Sequence, residues 1–341
     1  VGWQWRCPAF SLPWGSLMLG FIIQRFLQAV AVMAVMSVIV FCGVYAIGNP
    51  IDIVIPPEAT QDIREEAIRR LGLDRPLYEQ YFIFMVNLLE GDLGRSFVYN
   101  IPVLELIGGR LPATLELVLI SVISATILGV SLGIYAGYRP DSWVSKTIMA
   151  ISVLGFSVPS FWVGLILILF FAVNLGWLPA GGRGETVEIW GVAWSFPTLN
   201  GLSHIVLPAV NLALFKLAMM IRLARAGTRE IMLTDTIKFA RAAGLSEGTI
   251  LRRHLLKLIS IPIITVFGLE LGSTLAFAVV TETIFSWPGV GKLIIDSIGV
   301  LDRPVMVAYL ILVAFLFVTI NFVIDLVFAV IDPRLRQGAT A

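Results

Sequence analysis

Glu230-Ile-Met-Leu-Thr-Asp-Thr-Ile-Lys-Phe-Ala-Arg-Ala-Ala-Gly244-Leu-Ser246-Glu-Gly-Thr-Ile-Leu-Arg252-Arg-His254-Leu-Leu-Lys257 is the stretch on which the reading of this chain turns. It lies between two long apolar runs and holds the densest basic charge in the sequence. Gly244 tolerates a positive φ, so a helix that reaches Ala243 can stop there and let the chain turn. Ser246 is then placed to cap a second helix starting near Glu247. The stretch predicts a helix–glycine–helix elbow, and a push on such a corner tilts both flanking helices together.

Outward from the elbow, the composition asks for a bilayer. Of the 341 residues, 58% are hydrophobic and only 14% charged, with a mean hydropathy of +0.91. A soluble domain carries about a quarter charged residues. A spanning helix needs roughly 20 mostly apolar residues, because unpaired backbone groups are not tolerated in hydrocarbon. Six runs qualify. The first is charge-free from Phe26 to Ile51, the second from Leu117 to Tyr138 with Glu116 at its edge. The third begins at Thr147 and ends near Asn174, ahead of Gly176, Pro179 and Gly181. The fourth covers about Ile205 to Ala224 and contains Lys216; the fifth covers about Leu258 to Thr281 and contains Glu270. The sixth covers Val305 to Ile331, with Asp325 near its end. Ser157-Val-Pro159 and Pro208 predict bends or interruptions of spans three and four, which either free backbone groups toward a cavity or are packing kinks.

Six spans place both termini on one side. That side receives Arg6, Arg25, Arg139, Lys146, Arg222, Arg225, Arg229, Lys238, Arg241, Arg252, Arg253, Lys257, Arg334 and Arg336, fourteen in all, against three (Arg183, Lys292, Arg303) in the opposite short loops. The positive-inside rule makes the termini cytoplasmic. The expected organisation is a cytoplasmic N-terminal segment (1–25), span one (26–48), an external segment (49–112), a transmembrane core (113–331) with a cytoplasmic loop at 225–257, and a cytoplasmic tail (332–341). The first span has no small-residue cleavage site after a short apolar region and reads as a retained anchor. Residues 1–17, with Trp3, Trp5, Pro8, Pro13 and Trp14, show no helical period; they read as an extension ahead of Met18 or as an interfacial tail. In the external segment, Ala59 to Leu71 predicts a short helix with Ile63, Ala67 and Leu71 on one face, pairs Glu65–Arg69 and Glu66–Arg70, and a stop at Gly72. The net charge of +1 leaves no nucleic-acid footprint, and Cys7 and Cys42 offer neither a disulfide framework nor metal-ligand spacing.

The elbow resembles the EAA loop of ABC importer permeases, whose pattern is EAA, three residues, Gly, nine residues, I-x-L-P. The sequence keeps Ala240, Gly244 and Leu256, and departs from it with Lys238, Phe239, His254 and Lys257. Those departures resemble the peptide/nickel branch of the family, as do Leu71 to Tyr81, Gly91 to Ser96, Leu111 to Leu117, Thr281 to Lys292 and Asp332 to Arg336. The likeness is to the B-type permease subunit. It implies an all-α type I ABC importer fold with six transmembrane helices and a small external domain after span one. It also implies an inner-membrane permease that forms half of a path for peptides or related solutes, nickel chelates being the alternative. ATP and Mg would sit on two separate ATPase subunits, with no cofactor on this chain. A second homologous permease and an external solute-binding protein would complete the assembly. On this reading Ala240, Arg241, Ala242, Ala243, Gly244, Leu245, Ser246, His254 and Leu256 dock the ATPase.

Lys216 and Glu270 fall near mid-span, where an ionisable group is costly and faces protein or water. They read as partners or as lining of the translocation path, together with Ser157 and Pro159. Glu116 and Glu282 sit at span ends and read as structural carboxylates in a wet environment; Asp325 reads as structural too. Two other classes fit worse. A hydrolase built on Gly155-Phe-Ser157 lacks a base within reach, since His204 and His254 fall at opposite faces and no H-E-x-x-H is present. An ion-driven carrier would leave the elbow unexplained and show internal repeats, which are not found. Gly289-Val-Gly291-Lys292 lacks the upstream glycine and following Ser/Thr of a P-loop.

Overall fold

The computed structural model describes residues 14–46, 60–70 and 74–331. In chain order the elements are α1 (Trp14–Ala46), α2 (Gln61–Arg70), α3 (Leu77–Glu90), α4 (Val103–Tyr138), α5 (Trp143–Ser157), and α6 (Ser160–Leu167), which widens into π turns over Ile168–Asn174. A hairpin, β1 (Val187–Ile189) and β2 (Val192–Trp194), precedes α7 (Leu199–Met232) and α8 (Asp235–Ala242). A single helical turn, α9 (Glu247–Thr249), leads through π turns at Ile250–Leu255 into α10 (Leu256–Ile284). The chain closes with α11 (Val290–Gly299) and α12 (Arg303–Ile331).

Among the described residues five helical segments are long and apolar enough to cross a membrane: Ile22–Gly43, Val103–Tyr138, Leu199–Met232, Glu247–Ile284 and Arg303–Val327. The third span is interrupted where Ser157-Val-Pro159 predicted it. It is a pair, α5 and α6, bent by 107° at Val158-Pro159, and counting that pair as one span gives six. Proline at 159 removes an N–H and pushes Val158 to extended backbone (φ −94°, ψ 133°), which stops α5. Pro208, by contrast, does not interrupt α7, which runs through it.

Several bounds move outward from the charge-free runs, because helices continue past the hydrocarbon where polar residues can follow. Helix α1 begins at Trp14, so the lack of helical period read over 1–17 does not hold for its last residues. Helix α4 starts at Val103, ten residues inside the stretch expected to be external loop, and takes Pro112 within it. The fold is also not purely helical: β1 and β2 pair antiparallel, Glu188 opposite Ala193, through a turn at Trp190 (φ 54°) and Gly191 (φ 75°). The expected features at 1–13, Gly72 and 332–341, including the Asp332 to Arg336 block, lie outside the described residues.

Helices α4 and α7 form the centre. Gly129, Gly133 and Gly137 recur every four residues and so fall on one face of α4. A Cβ built on them would lie 2.5 Å from Met220 Cβ, 2.6 Å from the Ile221 carbonyl oxygen and 2.7 Å from Thr228 Cβ. The glycines let two backbones meet, the usual device for joining helices in lipid, where no hydrophobic drive exists between them. Around this seam Leu117, Val118, Val122, Ile205, Leu212 and Trp287 make one buried cluster. Val103, Ile107, Leu293, Ile294, Val305 and Tyr309 make a second, toward α11 and α12.

The segment before α4 leans on the core and does not enclose one of its own among the described residues. Ile63 of α2 is exposed and the Glu65–Arg69 pair forms at 3.5 Å, while the side chains of Ala67 and Arg70 and all of Leu71 lie outside what is described. Tyr81 of α3 exchanges a 2.8 Å hydrogen bond with Ser37 and stacks edge-on with Phe41 of α1. Gly91 to Ser96 is anchored by buried Asp302, which accepts from Ser96 Oγ and, at 3.1 Å, from the Phe97 N–H. Asp302→Ala leaves buried donors unmet, which costs about 1–3 kcal/mol each. The expected result is faster proteolytic cleavage within 92–101 while the α4–α7 seam stays protected; unchanged cleavage would contradict the anchoring role.

Candidate functional site

The elbow forms as its residue types dictate. Helix α8 stops at Ala243, and Gly244 takes φ +81°. The Gly244 N–H donates to Arg241 O at 3.0 Å and the Leu245 N–H to Ala240 O at 3.1 Å, closing the last turn of the helix. Ser246 caps the next helix, its Oγ accepting from the Thr249 N–H at 3.4 Å. The two arms are clasped by Arg241, which donates to Glu247 from Nε at 2.7 Å and from Nη2 at 3.3 Å. That hydrogen bond raises the Arg241 pKa above its ordinary value. Tyr138, the last residue of α4, donates to the same carboxylate at 3.2 Å and ties the corner to the central seam.

Inside the corner, Ile237, Ala240 and Ile250 are buried against Ile231 and Met232. Ala240 therefore holds the elbow together and does not face outward. Arg241, Ala242, Ala243, Gly244, Leu245 and Ser246 are exposed, His254 is half-buried in the π turns, and Leu256 is exposed. Phe239, absent from the residues singled out by spacing, stands 76% exposed beside them. The signal for it was an aromatic residue in the most basic stretch of the chain.

A cavity of about 650 Å³ opens where the broken span meets α7 and α10. It brings together Ser157, Pro159, Lys216 and Glu270, and adds Asn211, Ser273, Phe277 and Thr281. Lys216 Nζ lies 3.9 Å from Glu270 Oε2, and both side chains are nearly buried. Asn211 Nδ2 donates to Thr281 Oγ1 at 3.0 Å. Ser157 Oγ donates to Val153 O at 2.9 Å, which is a bond within its own helix and no sign of an activated nucleophile. Asn211 was readable only as a polar residue inside an apolar run, with no spacing to mark it.

At the end of the molecule opposite the elbow, two carboxylates expected in a wet environment are buried. Glu116 is 2% exposed and accepts from Arg183 Nη2 (2.9 Å), Ser195 N (2.8 Å), Ser195 Oγ (2.8 Å) and Phe196 N (2.6 Å). Glu282 is fully buried and accepts from Thr114 Oγ1 (2.6 Å) and the Lys292 N–H (2.9 Å), with Gly289 and Gly291 wrapped against its carboxylate. Trp287 Nε1 donates to Ala113 O at 2.9 Å. The Leu111 to Leu117 and Thr281 to Lys292 blocks are thus two halves of one lock, and the glycines near Lys292 pack against a carboxylate. Asp325 pairs with Arg25 at 3.1 Å, joining α12 to α1. Among the described residues no group of three or more His, Cys, Asp or Glu is placed to hold a metal ion.

Residues 129–337 match the family described as binding-protein-dependent transport system inner membrane component, and residues 18–118 match that family's N-terminal membrane-component region. The chain is 35% identical to a dipeptide transport system permease protein of Alkalihalophilus pseudofirmus, over 94% of this chain and all of that one. It is 37% identical to an oligopeptide transport system permease protein of Bacillus subtilis (94% and 100% covered). It is 36% identical to a glutathione transport system permease protein of Escherichia coli (94% and 99%). Among solved structures it is similar to a chain of the MetNI methionine ABC transporter in an inward-facing form. The TM-score is 0.51 at 19% identity, covering 64% of this chain and 93% of that one, a likeness of fold alone.

Proposed function

Since the chain belongs to the family of binding-protein-dependent transport system inner membrane components, we propose that it is the permease subunit of an ATP-driven importer of small peptides. The names of its relatives favour peptides and glutathione over nickel chelates. Two ATPase subunits, a second permease and an external solute-binding protein complete the assembly, in the inner membrane, with the elbow and both termini cytoplasmic.

One observation carries the reading: an exposed, glycine-turned corner whose arms are clasped by Arg241–Glu247 and roped to the central seam by Tyr138. Phe239 and Leu245 give it an apolar face for a groove on the ATPase. Closure of the ATPase pair on ATP moves the elbow, and α7 and α10 move with it, opening the cavity of Lys216, Glu270, Ser157 and Pro159 to the other side. For nucleotide to shift the permease, its two conformations must differ in affinity for the closed ATPase pair.

Gly244 supplies the test. A Cβ there meets nothing within 4 Å, so Gly244→Ala suffers only from its positive φ, about 1 kcal/mol, and is expected to transport nearly normally. Gly244→Pro forbids that φ and deletes the N–H that bonds Arg241 O. The expected outcome is membrane insertion at wild-type levels with import and binding-protein-stimulated ATP hydrolysis reduced roughly tenfold or more, as when a buried contact network is broken. Normal coupling in Gly244→Pro would refute the docking assignment.

A further inference from the structure

The cavity contains more polar chemistry than its architecture uses. Lys216 and Glu270 are nearly buried yet stand 3.9 Å apart, beyond a direct hydrogen bond. Burying two opposite charges is costly, and a structural pair would recover that cost by closing to contact. Asn211, 3% exposed, spends its amide N–H on Thr281 Oγ1, which leaves Oδ1 an acceptor. That oxygen is buried with no partner among the described residues, and its residue is part of the lining of the same cavity. A buried acceptor left unpaired is expensive unless something else arrives to donate to it. The opening is therefore lined by one cation, one anion and a residue with an idle buried acceptor, flanked by the exposed ring of Phe277. Its volume, about 650 Å³, is ample for a small solute.

We propose that Lys216, Glu270 and Asn211 form a recognition site for the two ends of a zwitterionic solute. Lys216 takes the solute's carboxylate; Glu270 and Asn211 Oδ1 take its ammonium. The solute docks from the cavity alongside the pair and draws the two charges apart as it completes both, while Phe277 and the apolar wall accept side chains of no fixed identity. This rests on the reading of the chain as an importer permease, and it names the feature that this chain itself reads in its cargo: both termini free and charged.

The test uses the whole assembly in lipid vesicles with ATPase subunits, binding protein and ATP. Radiolabelled L-alanyl-L-alanine is compared with its C-terminal amide and its N-acetyl derivative. The binding protein is the same in every arm, so a change in the ratio between solutes belongs to this chain. Lys216→Met is expected to cut the preference for free acid over amide roughly tenfold, and Asn211→Leu the preference for free amine over the N-acetyl form by a similar factor. Should Lys216→Met not assemble, Lys216→Gln carries the same comparison. Equal losses for all three solutes, or ratios that stay put while binding-protein-stimulated ATP hydrolysis persists, would overturn the site and leave the permease reading standing. Absence of that stimulated hydrolysis in the wild-type assembly would overturn the permease reading itself.

Discussion

Glu116→Ala is expected to destabilise the protein by about 3–5 kcal/mol, the cost of leaving one member of a buried ion pair without the other. The carboxylate takes hydrogen bonds from Arg183, from Ser195 twice, and from the Phe196 N–H. With it gone, Arg183 keeps its 2.6 Å bond to Ala193 O, and two backbone N–H groups at the foot of the hairpin lose their acceptor. The loss is local before it is global: cleavage within 175–198 accelerates first, then the detergent-solubilised protein unfolds at lower temperature. Glu116→Leu combined with Arg183→Met removes both charges and recovers part of the loss, though not the part due to the orphaned N–H groups. A Glu116→Ala protein within about 1 kcal/mol of wild type would show that the lock does not hold the hairpin.

Gly133→Leu is expected to destabilise the fold by about 3 kcal/mol or more. Even a single Cβ at 133 would sit 2.6 Å from the Ile221 carbonyl oxygen and 2.7 Å from Ala224 Cβ. A backbone oxygen cannot swing aside as a side chain can, so α4 and α7 must part. Overpacking of this kind costs about 1–3 kcal/mol and occasionally more, and parting the seam also undoes the contacts of Gly129 and Gly137 above and below it. The control lies in the same helix: Gly108 is exposed, with nothing within 4 Å of its Cβ position. Gly108→Ala is expected to be neutral or slightly stabilising, since Ala exceeds Gly in helix propensity by about 1 kcal/mol. Thermal unfolding of the two variants in detergent checks the pair. Equal stability would mean that the seam adapts freely.

Lys216 and Glu270 show how far reading residue by residue carries. Two ionisable groups in separate apolar runs called for a partner or a wet cavity, and the fold supplies both at once, a parted pair on a cavity wall. Nothing along the chain tells Asn211 from an ordinary helical asparagine; its idle oxygen exists because Thr281, seventy residues away, claims the other end of the amide. Glu116 and Glu282 were placed at the ends of their spans, but their burial was not legible. It depends on Ser195, Arg183, Thr114 and Gly289 folding over them from distant segments.

The sequence by itself determined the membrane setting, the count of apolar runs and the turn at Gly244. Each is a property of a short window: hydropathy over some twenty residues, or the φ that a residue without a Cβ can take. Only the tertiary structure decided that α4 and α7 touch along Gly129, Gly133 and Gly137, and that Trp14 and Val103 already belong to helices. It alone decided that the break read at Ser157-Val-Pro159 is a bend of 107° beside a cavity and that Ala240 faces inward. These depend on which surfaces meet, and two surfaces that meet across a hundred residues leave no periodicity in either one.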